Sequence, residues 1–248
     1  MTANSLLKNL LNIKEATVDA FDFDENAQGE PTLVVHVHVR RKDRWRCPVC
    51  GRKCNVHDYV CAEAFWRSMD FGPVAVRIGA TVPRVTCPEH GVATAAVPWA
   101  KPGSRFTTDF AFAAAWMVKG GLSKKKVAEH LRIDWDTVGR LVDLVWHELE
   151  PDVKKRFDGL VRIGIDETSY RKGHSYITIV VNHDTNTFVW AHKGHGKEVL
   201  DLFFTGLTPQ QRGSVLVVTG DGARWITDSM KQYCPNADRC VDPFHVVE

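Results

Sequence analysis

Two short stretches carry ligand-type side chains at one spacing: Cys47-Pro48-Val49-Cys50-Gly51 and Cys87-Pro88-Glu89-His90-Gly91. In each, two ligands stand on either side of a tight turn that ends in glycine, so both side chains can reach one ion. Three thiolates and an imidazole make a donor set for a tetrahedral structural zinc. A lone Cys-x-x-Cys also suits a redox pair, but His90 in the second stretch and the lack of a βαβ setting favour Zn²⁺. Cys54 and Cys61 are alternates for the ligand set, read as packed thiols in preference to ligands.

A second group is acidic. Val161, Ile163 and Ile165 alternate like one face of a strand and give way to Asp166 and Glu167; "SVLVV" leads in the same manner to Asp221, between Gly220 and Gly222. A carboxylate at the mouth of a central strand is costly unless it caps a turn, pairs with a cation or holds a metal. Together, Asp166 and Asp221 are hard oxygen ligands for Mg²⁺ or Mn²⁺. Two such ions about 4 Å apart can activate a water or a 3′-hydroxyl and stabilise the leaving oxygen of a phosphoryl transfer. Each acid alone has a structural account, Asp221 as a cap before "GARWI" in particular. As a pair at matched strand ends they point to metal. Asp242, followed by Pro243, reads as a helix cap with a first-turn proline, and His245 on that turn either faces the acids or packs inward.

The third group is basic. "VRRKDRWRCPVCGRKC" holds Arg40, Arg41, Lys42, Arg44, Arg46, Arg52 and Lys53, and "LSKKKVAEH" adds Lys124, Lys125 and Lys126. A solvated face is the ordinary account of such runs. The second run, however, lies inside a helical pattern. Thr107 or Thr108 caps a first helix through Val118, Ser123 caps a second over Lys124 to Leu131, and Asp134 caps a third with Val138, Leu141, Val142 and Val145 inward. Short helix, tight turn and longer helix is the helix-turn-helix pattern. Its last helix would offer Trp135, Asp136, Thr137 and Arg140 to a DNA major groove. A plain helical linker bundle would show the same stripe; the lysines favour DNA.

The elements that must position these groups fall into three segments. A β-rich zinc-binding domain spans 1–100, beginning with the alternating runs "ATVDAFDF" and "TLVVHVHVR" around the loop "DENAQGEP". A helix-turn-helix domain spans 101–155. An α/β domain spans 156–248, with a hairpin turning at Lys172-Gly173-His174, a strand "TFVWAHK", a helix with Val199, Leu202, Phe203 and Leu207 inward, and a strand running into Asp221. Arg239 to Val241 reads as a last short strand. Three antiparallel strands, a helix and then a parallel strand is the order of a ribonuclease-H-like fold, here incomplete. A right-handed crossover sets the fourth strand beside the first and brings Asp166 and Asp221 together.

At 248 residues and 44% hydrophobic content the chain has enough apolar surface for one large domain or two to three small ones, each with its own core. A net charge of +2 argues for no partner by itself, so the local basic runs carry that argument. Lys8, Lys14 and Glu15 interrupt the leucines of the first segment, which excludes a secretory signal of the usual design, and no apolar run has bilayer length. An intracellular protein is expected. Seven cysteines there suit metal binding or burial better than disulfides.

The knuckles "CPVC" and "CPEHG", the stretch "LSKKKVAEHLRIDWDTVGRLV", and then "IDETSYRKGHSYITIVVNHDTN", "GDGARWI" and "PNADRCVDPFHVV" resemble the transposases of the ISL3 family of bacterial insertion sequences. The resemblance implies a DDE-type enzyme that cuts and rejoins element ends with three acids and divalent metal. Asp166 matches the first acid and Asp221 the second, while "DPFH" resembles an Asp-x-x-His element that makes Asp242 and His245 secondary candidates. It implies double-stranded DNA as partner, both terminal inverted repeats and target. It further implies a homo-oligomer in the active form and a bacterial cytoplasm, at the nucleoid, as location. In that family the third acid lies well beyond "DPFHVV", and Glu248 does not match it. A fragment with weak or no strand transfer is therefore expected, and the alternative function is a non-catalytic DNA-binding remnant acting at element ends.

Overall fold

Alternation in the first segment makes a sheet with one wet face. The computed structural model describes residues 2–13, 15–25, 29–40, 45–59, 62–171 and 175–241. A helix α1 (Ala3–Leu10), capped by the Thr2 hydroxyl, precedes β1 (Ala16–Glu25), β2 (Pro31–Val39), β3 (Asn55–Tyr59), β4 (Ala64–Phe71), β5 (Val74–Ala80), β6 (Pro83–Cys87) and β7 (Gly91–Thr94). Strands β1-β2-β5-β4 form one sheet and β3-β6-β7 a second. Leu33, Val35 and Val37 of β2 are buried, while the interleaved His36 and His38 point outward to Glu63, Asp22 and Asp19. One core, holding Val35, Val76, Ile78 and Val85 with an edge-on Trp66–Trp99 pair, contains residues of both sheets and of α1. Helix α1 is absent from the sequence reading, although Thr2 with Leu7 and Leu11 is a short amphipathic pattern.

Helices α2 (Thr108–Lys119), α3 (Lys124–Leu131) and α4 (Trp135–Leu149) follow, with caps at Thr107, Ser123 and Asp134 as the sequence predicts. Asp134 holds the cap position without a side-chain cap hydrogen bond. The expected boundary at residue 100 separates no independent bodies. The chain divides into two units, Met1–Pro151 and Asp152–Glu248, so the β-rich and helical segments share one. The reason is local: the approach to α2 runs alongside β4, with Arg67 N–H donating to Arg105 O at 2.8 Å and Thr107 N–H to Arg67 O at 2.9 Å. Met69 of β4 and Phe106 then pack on the three-helix core of Phe110, Val127, Leu131, Val138, Leu141 and Val145.

The second unit has a 3₁₀ turn at Val153–Phe157, then β8 (Arg162–Arg171), β9 (Ser175–Asn182), β10 (Thr187–Lys193), α5 (Lys197–Gly206), α6 (Pro209–Ser214), β11 (Val217–Gly220), α7 (Arg224–Tyr233) and β12 (Asp238–Val241). The sheet order is β10-β9-β8-β11-β12; the first three strands are antiparallel, and β11 lies parallel to both β8 and β12. The fourth strand thus sits beside the first, as the crossover rule requires. The inward stripe of α5 differs from expectation. Leu200, Phe203 and Phe204 are buried with Leu207, whereas Leu202 is 50% exposed. Leu200, Phe203, Phe204 and Leu207 stand at i, i+3, i+4 and i+7, so that face carries two aromatic rings and outcompetes the one through Leu202. Helix α6 was missed as well, although Thr208-Pro209 with Gln211 is a capping box with a first-turn proline. No helix among the described residues is long and apolar enough to cross a membrane.

Candidate functional site

The two cysteine stretches fold into matched turns. Cys47 O accepts from Gly51 N–H at 3.0 Å, Cys87 pairs with Gly91 across the β6–β7 hairpin, and both glycines adopt φ +69°. A side chain at either glycine would meet the left-handed penalty, so glycine closes both. These turns bring Cys47, Cys50, Cys87 and His90 together with their ligand atoms all within 4.8 Å of one another. Cys50 Sγ lies 3.7 Å from Cys87 Sγ, and His90 Nδ1 lies 3.5 Å from Cys87 Sγ and 3.8 Å from Cys47 Sγ. A tetrahedron with metal–sulfur bonds of about 2.3 Å has edges of roughly 3.7 Å, so donor set and spacing both fit zinc. The His90 imidazole beside Cys87 pulls its thiol down to about 6, which leaves it mostly thiolate at neutral pH. Cys54 is buried outside the quartet, its thiol donating to Arg52 O at 3.3 Å. Cys61 lies outside the described residues.

The helix-turn-helix presents a basic and aromatic edge. Lys124, Lys125 and Lys126 are exposed on α3, and the Lys124 ammonium stands 6.0 Å from the ring centre of Trp135, itself 60% exposed at the start of α4. Asp136 and Arg140 are exposed beside it. Thr137 differs from expectation: it is 7% exposed, and its hydroxyl accepts from Arg140 Nη2 at 2.8 Å. It faces inward because it precedes Val138 on the core side of the helix, so it orients Arg140 and offers solvent little of itself.

The acids lie in the second unit. Ile163 and Ile165 are buried, so Gly164 and Asp166 point to the opposite face of β8; Val218 is buried, so Thr219 shares that opposite face. There His183 Nε2 meets Thr219 Oγ1 at 2.7 Å, in space that a side chain at Gly164 would fill. The β8–β11 register runs Arg162↔Val217, Ile163↔Val218, Gly164↔Thr219 and ends there; Asp166 and Asp221 each follow that last pair by two residues. Asp166 is not at the end of its strand, however: β8 continues to Arg171 as half of a long hairpin with β9. The sequence reading took the end of the apolar alternation for the end of the strand, but β8 goes on pairing with β9 where its contact with β11 stops. Asp166 is exposed and accepts from Glu167 N–H at 2.9 Å, while Asp221 accepts from Ala223 N–H at 3.0 Å ahead of α7. Among the described residues no third His, Cys, Asp or Glu joins these two within reach of one ion. Asp242, His245 and Glu248, like Lys172 to His174, lie outside the described residues.

Comparison with known proteins gives this arrangement its context. Residues 95–146 match the model described as the helix-turn-helix domain of transposase family ISL3, and residues 163–248 match the ISL3 model described as a transposase. The transposase for insertion sequence element IS1557 of Mycobacterium tuberculosis is 41% identical over 98% of this chain and 54% of its own length. The chain belongs to the ISL3 family of transposases. A more distant relative, the transposase for insertion sequence element IS1001 of Bordetella parapertussis, is 27% identical over 81% of this chain and 49% of its own length. The chain spans about half the length of these curated relatives.

Two residues that sequence reasoning did not single out hold the acids of this ISL3 chain in place. Arg239 on β12 donates to Asp221 O and, at 3.3 Å, to Val218 O, fixing the backbone on both sides of Gly220. Glu167 accepts from Gly196 N–H at 2.7 Å, which ties the strand next to Asp166 to the first turn of α5. Neither contact is local, the partners lying 18 and 29 positions apart in the chain. Gly220 itself is demanded by packing, since a Cβ there would lie 2.8 Å from Ile165 O and 3.0 Å from Ile226 Cδ1. Gly220→Ala is expected to cost about 1–3 kcal/mol, because the obstacle is strand backbone that cannot rotate away. A urea midpoint unchanged from that of the parent protein would show that the β8–β11 contact is looser than described.

Proposed function

We propose that this chain is part of a metal-dependent transposase that binds the terminal inverted repeats of an insertion sequence and takes part in their cleavage and strand transfer. The observation that supports the reading is the parallel β8–β11 pairing, whose last pair, Gly164↔Thr219, stands two residues before Asp166 and Asp221 alike. With β10-β9-β8-β11-β12 as strand order, the second unit is read as a ribonuclease-H-like core. Asp166 and Asp221 would hold Mg²⁺ or Mn²⁺, which when bound supplies Lewis acidity at the scissile phosphate. Asp242 and His245 remain candidates for the same face. Cys47, Cys50, Cys87 and His90 hold a structural zinc that closes the β3-β6-β7 sheet.

DNA recognition is assigned to the helix-turn-helix. Arg140, braced by Thr137, and Trp135 with Asp136 stand on the first turns of α4, the end that enters a major groove in this motif. Lys124, Lys125 and Lys126 on α3 face the phosphates. Arg140→Ala is expected to weaken binding to the terminal repeat by about 1–3 kcal/mol while leaving binding to unrelated duplex almost unchanged. Fluorescence anisotropy with both duplexes measures the ratio. Equal losses on the two would remove Arg140 from base reading. The active assembly is proposed to be a homo-oligomer in the bacterial cytoplasm, because two element ends must be joined in one reaction.

A further inference from the structure

We propose that the cleft between the β4–β5 sheet and the helix-turn-helix turn is a phosphate-binding seat, in which Arg77 and Arg105 grip the DNA backbone beside the groove read by α4. The inference rests on the DNA-binding reading above and adds a second contact surface, outside the motif itself. Arg67 and Arg77 are direct cross-strand partners on the face of β4 and β5 opposite the core. Like charges so placed repel, and a fold keeps them when something neutralises them. Asp70 does so for Arg67, and it also pairs with Arg132 in the helix-turn-helix turn, whose other acidic neighbour is Glu30 at 3.9 Å. Arg77 and Arg105, both exposed, have no carboxylate partner among the described residues.

These two arginines line a cleft of about 390 Å³, together with Phe65, Arg132 and the α4 residues Asp134 and Thr137. Its walls are fixed. Arg132 sits at φ +55°, a conformation unfavourable for a side chain, and its guanidinium reaches across to Asp70 and to Pro73 O at 3.0 Å. The turn is thereby tied to the β4–β5 hairpin, and Arg105 is held beside β4 by the backbone bonds at Arg67. Two free guanidinium forks at the entrance to the recognition helix match the planar, bidentate geometry of phosphate oxygens. DNA seated on the first turns of α4 would carry its backbone past this cleft. The occupant that fits the charge and the position is therefore a nucleic-acid phosphate backbone.

The test is the salt dependence of binding by the whole chain, measured with a terminal-repeat duplex and an unrelated duplex of equal length. Replacing both arginines, Arg77→Gln with Arg105→Gln, should lower the slope of log K against log salt by roughly 2. Affinity for both duplexes should fall on the order of tenfold with their ratio kept. Arg77→Lys with Arg105→Lys should restore most of the slope, because a lysine still displaces counterions. A glutamine variant with the parental slope and affinity, in a protein whose Arg140→Ala change still weakens repeat binding, overturns the seat and leaves the helix-turn-helix reading standing. Failure of the parent chain to bind either duplex overturns both.

Discussion

Stripping zinc from Cys47, Cys50, Cys87 and His90 should melt the β3-β6-β7 sheet and lower the melting temperature of the first unit by more than about 10 °C. The sheet is small: β3 and β6 have five residues each and β7 has four. Val49, Val56, Tyr59 and Val92 are exposed, and the buried residues of the three strands are Pro83, Val85 and Cys87 alone. Sheets of that size are marginal in water without help. Zinc in comparable small sites contributes roughly 10–16 kcal/mol of apparent binding free energy, and much of it appears as folding. Because Cys47, Cys54, Val85 and Cys87 belong to the core shared with the larger sheet, their loss is felt there too. A domain of this size loses about 2–4 °C per kcal/mol. Amide exchange should quicken at residues 45–59 and 83–97 well before it does in β2 and β5. Protons compete with zinc for the thiolates, so zinc retention should weaken progressively as pH falls. Metal analysis that finds no zinc, or a melting curve indifferent to chelator and to Cys87→Ser, would sink the assignment.

Much of the arrangement was legible in the sequence because its determinants are local. Paired ligand spacing with a closing glycine, Ser123 and Thr107 as caps, and period-two alternation in β2 and β8 each act over a few residues. What was not legible depends on contacts distant in the chain. The shared body of β-sheet and helix-turn-helix depends on residues 105–107 lying against β4, and the Arg132–Asp70 tether joins positions 62 apart. Thr137 was nominated from its place on the helix, yet the three-helix core decides which way it points. The α5 stripe was misplaced by one position because both faces are apolar in sequence and only burial of Phe204 separates them. The candidate acids show both halves of this. Their identities follow from local pattern, while their proposed meeting rests on the β8–β11 register, which no single strand encodes.

That register supports the second large effect: Asp166→Asn and Asp221→Asn should each reduce excision of an insertion sequence whose transposase carries the change by about a thousandfold or more. The substitution separates the two accounts of these acids. Asparagine keeps an oxygen that can accept from Glu167 N–H or Ala223 N–H, the hydrogen bonds that Asp166 and Asp221 make, so a residue whose whole task is to cap a turn should tolerate it. It removes the negative charge that a divalent ion requires, and several kcal/mol of transition-state stabilisation go with the metal, each 1.36 kcal/mol being about a tenfold loss. Folding should barely change in Asp166→Asn, since the side chain is exposed. A metal readout needs only this chain: Mn²⁺ should broaden the NMR signals of β8 and β11 around Gly164 and Thr219, and either substitution should abolish the broadening. Excision within tenfold of the parent, with Mn²⁺ broadening unaltered, would reduce both acids to turn caps. Loss of excision with broadening intact would instead move the metal to other ligands and leave Asp166 and Asp221 acting on the DNA.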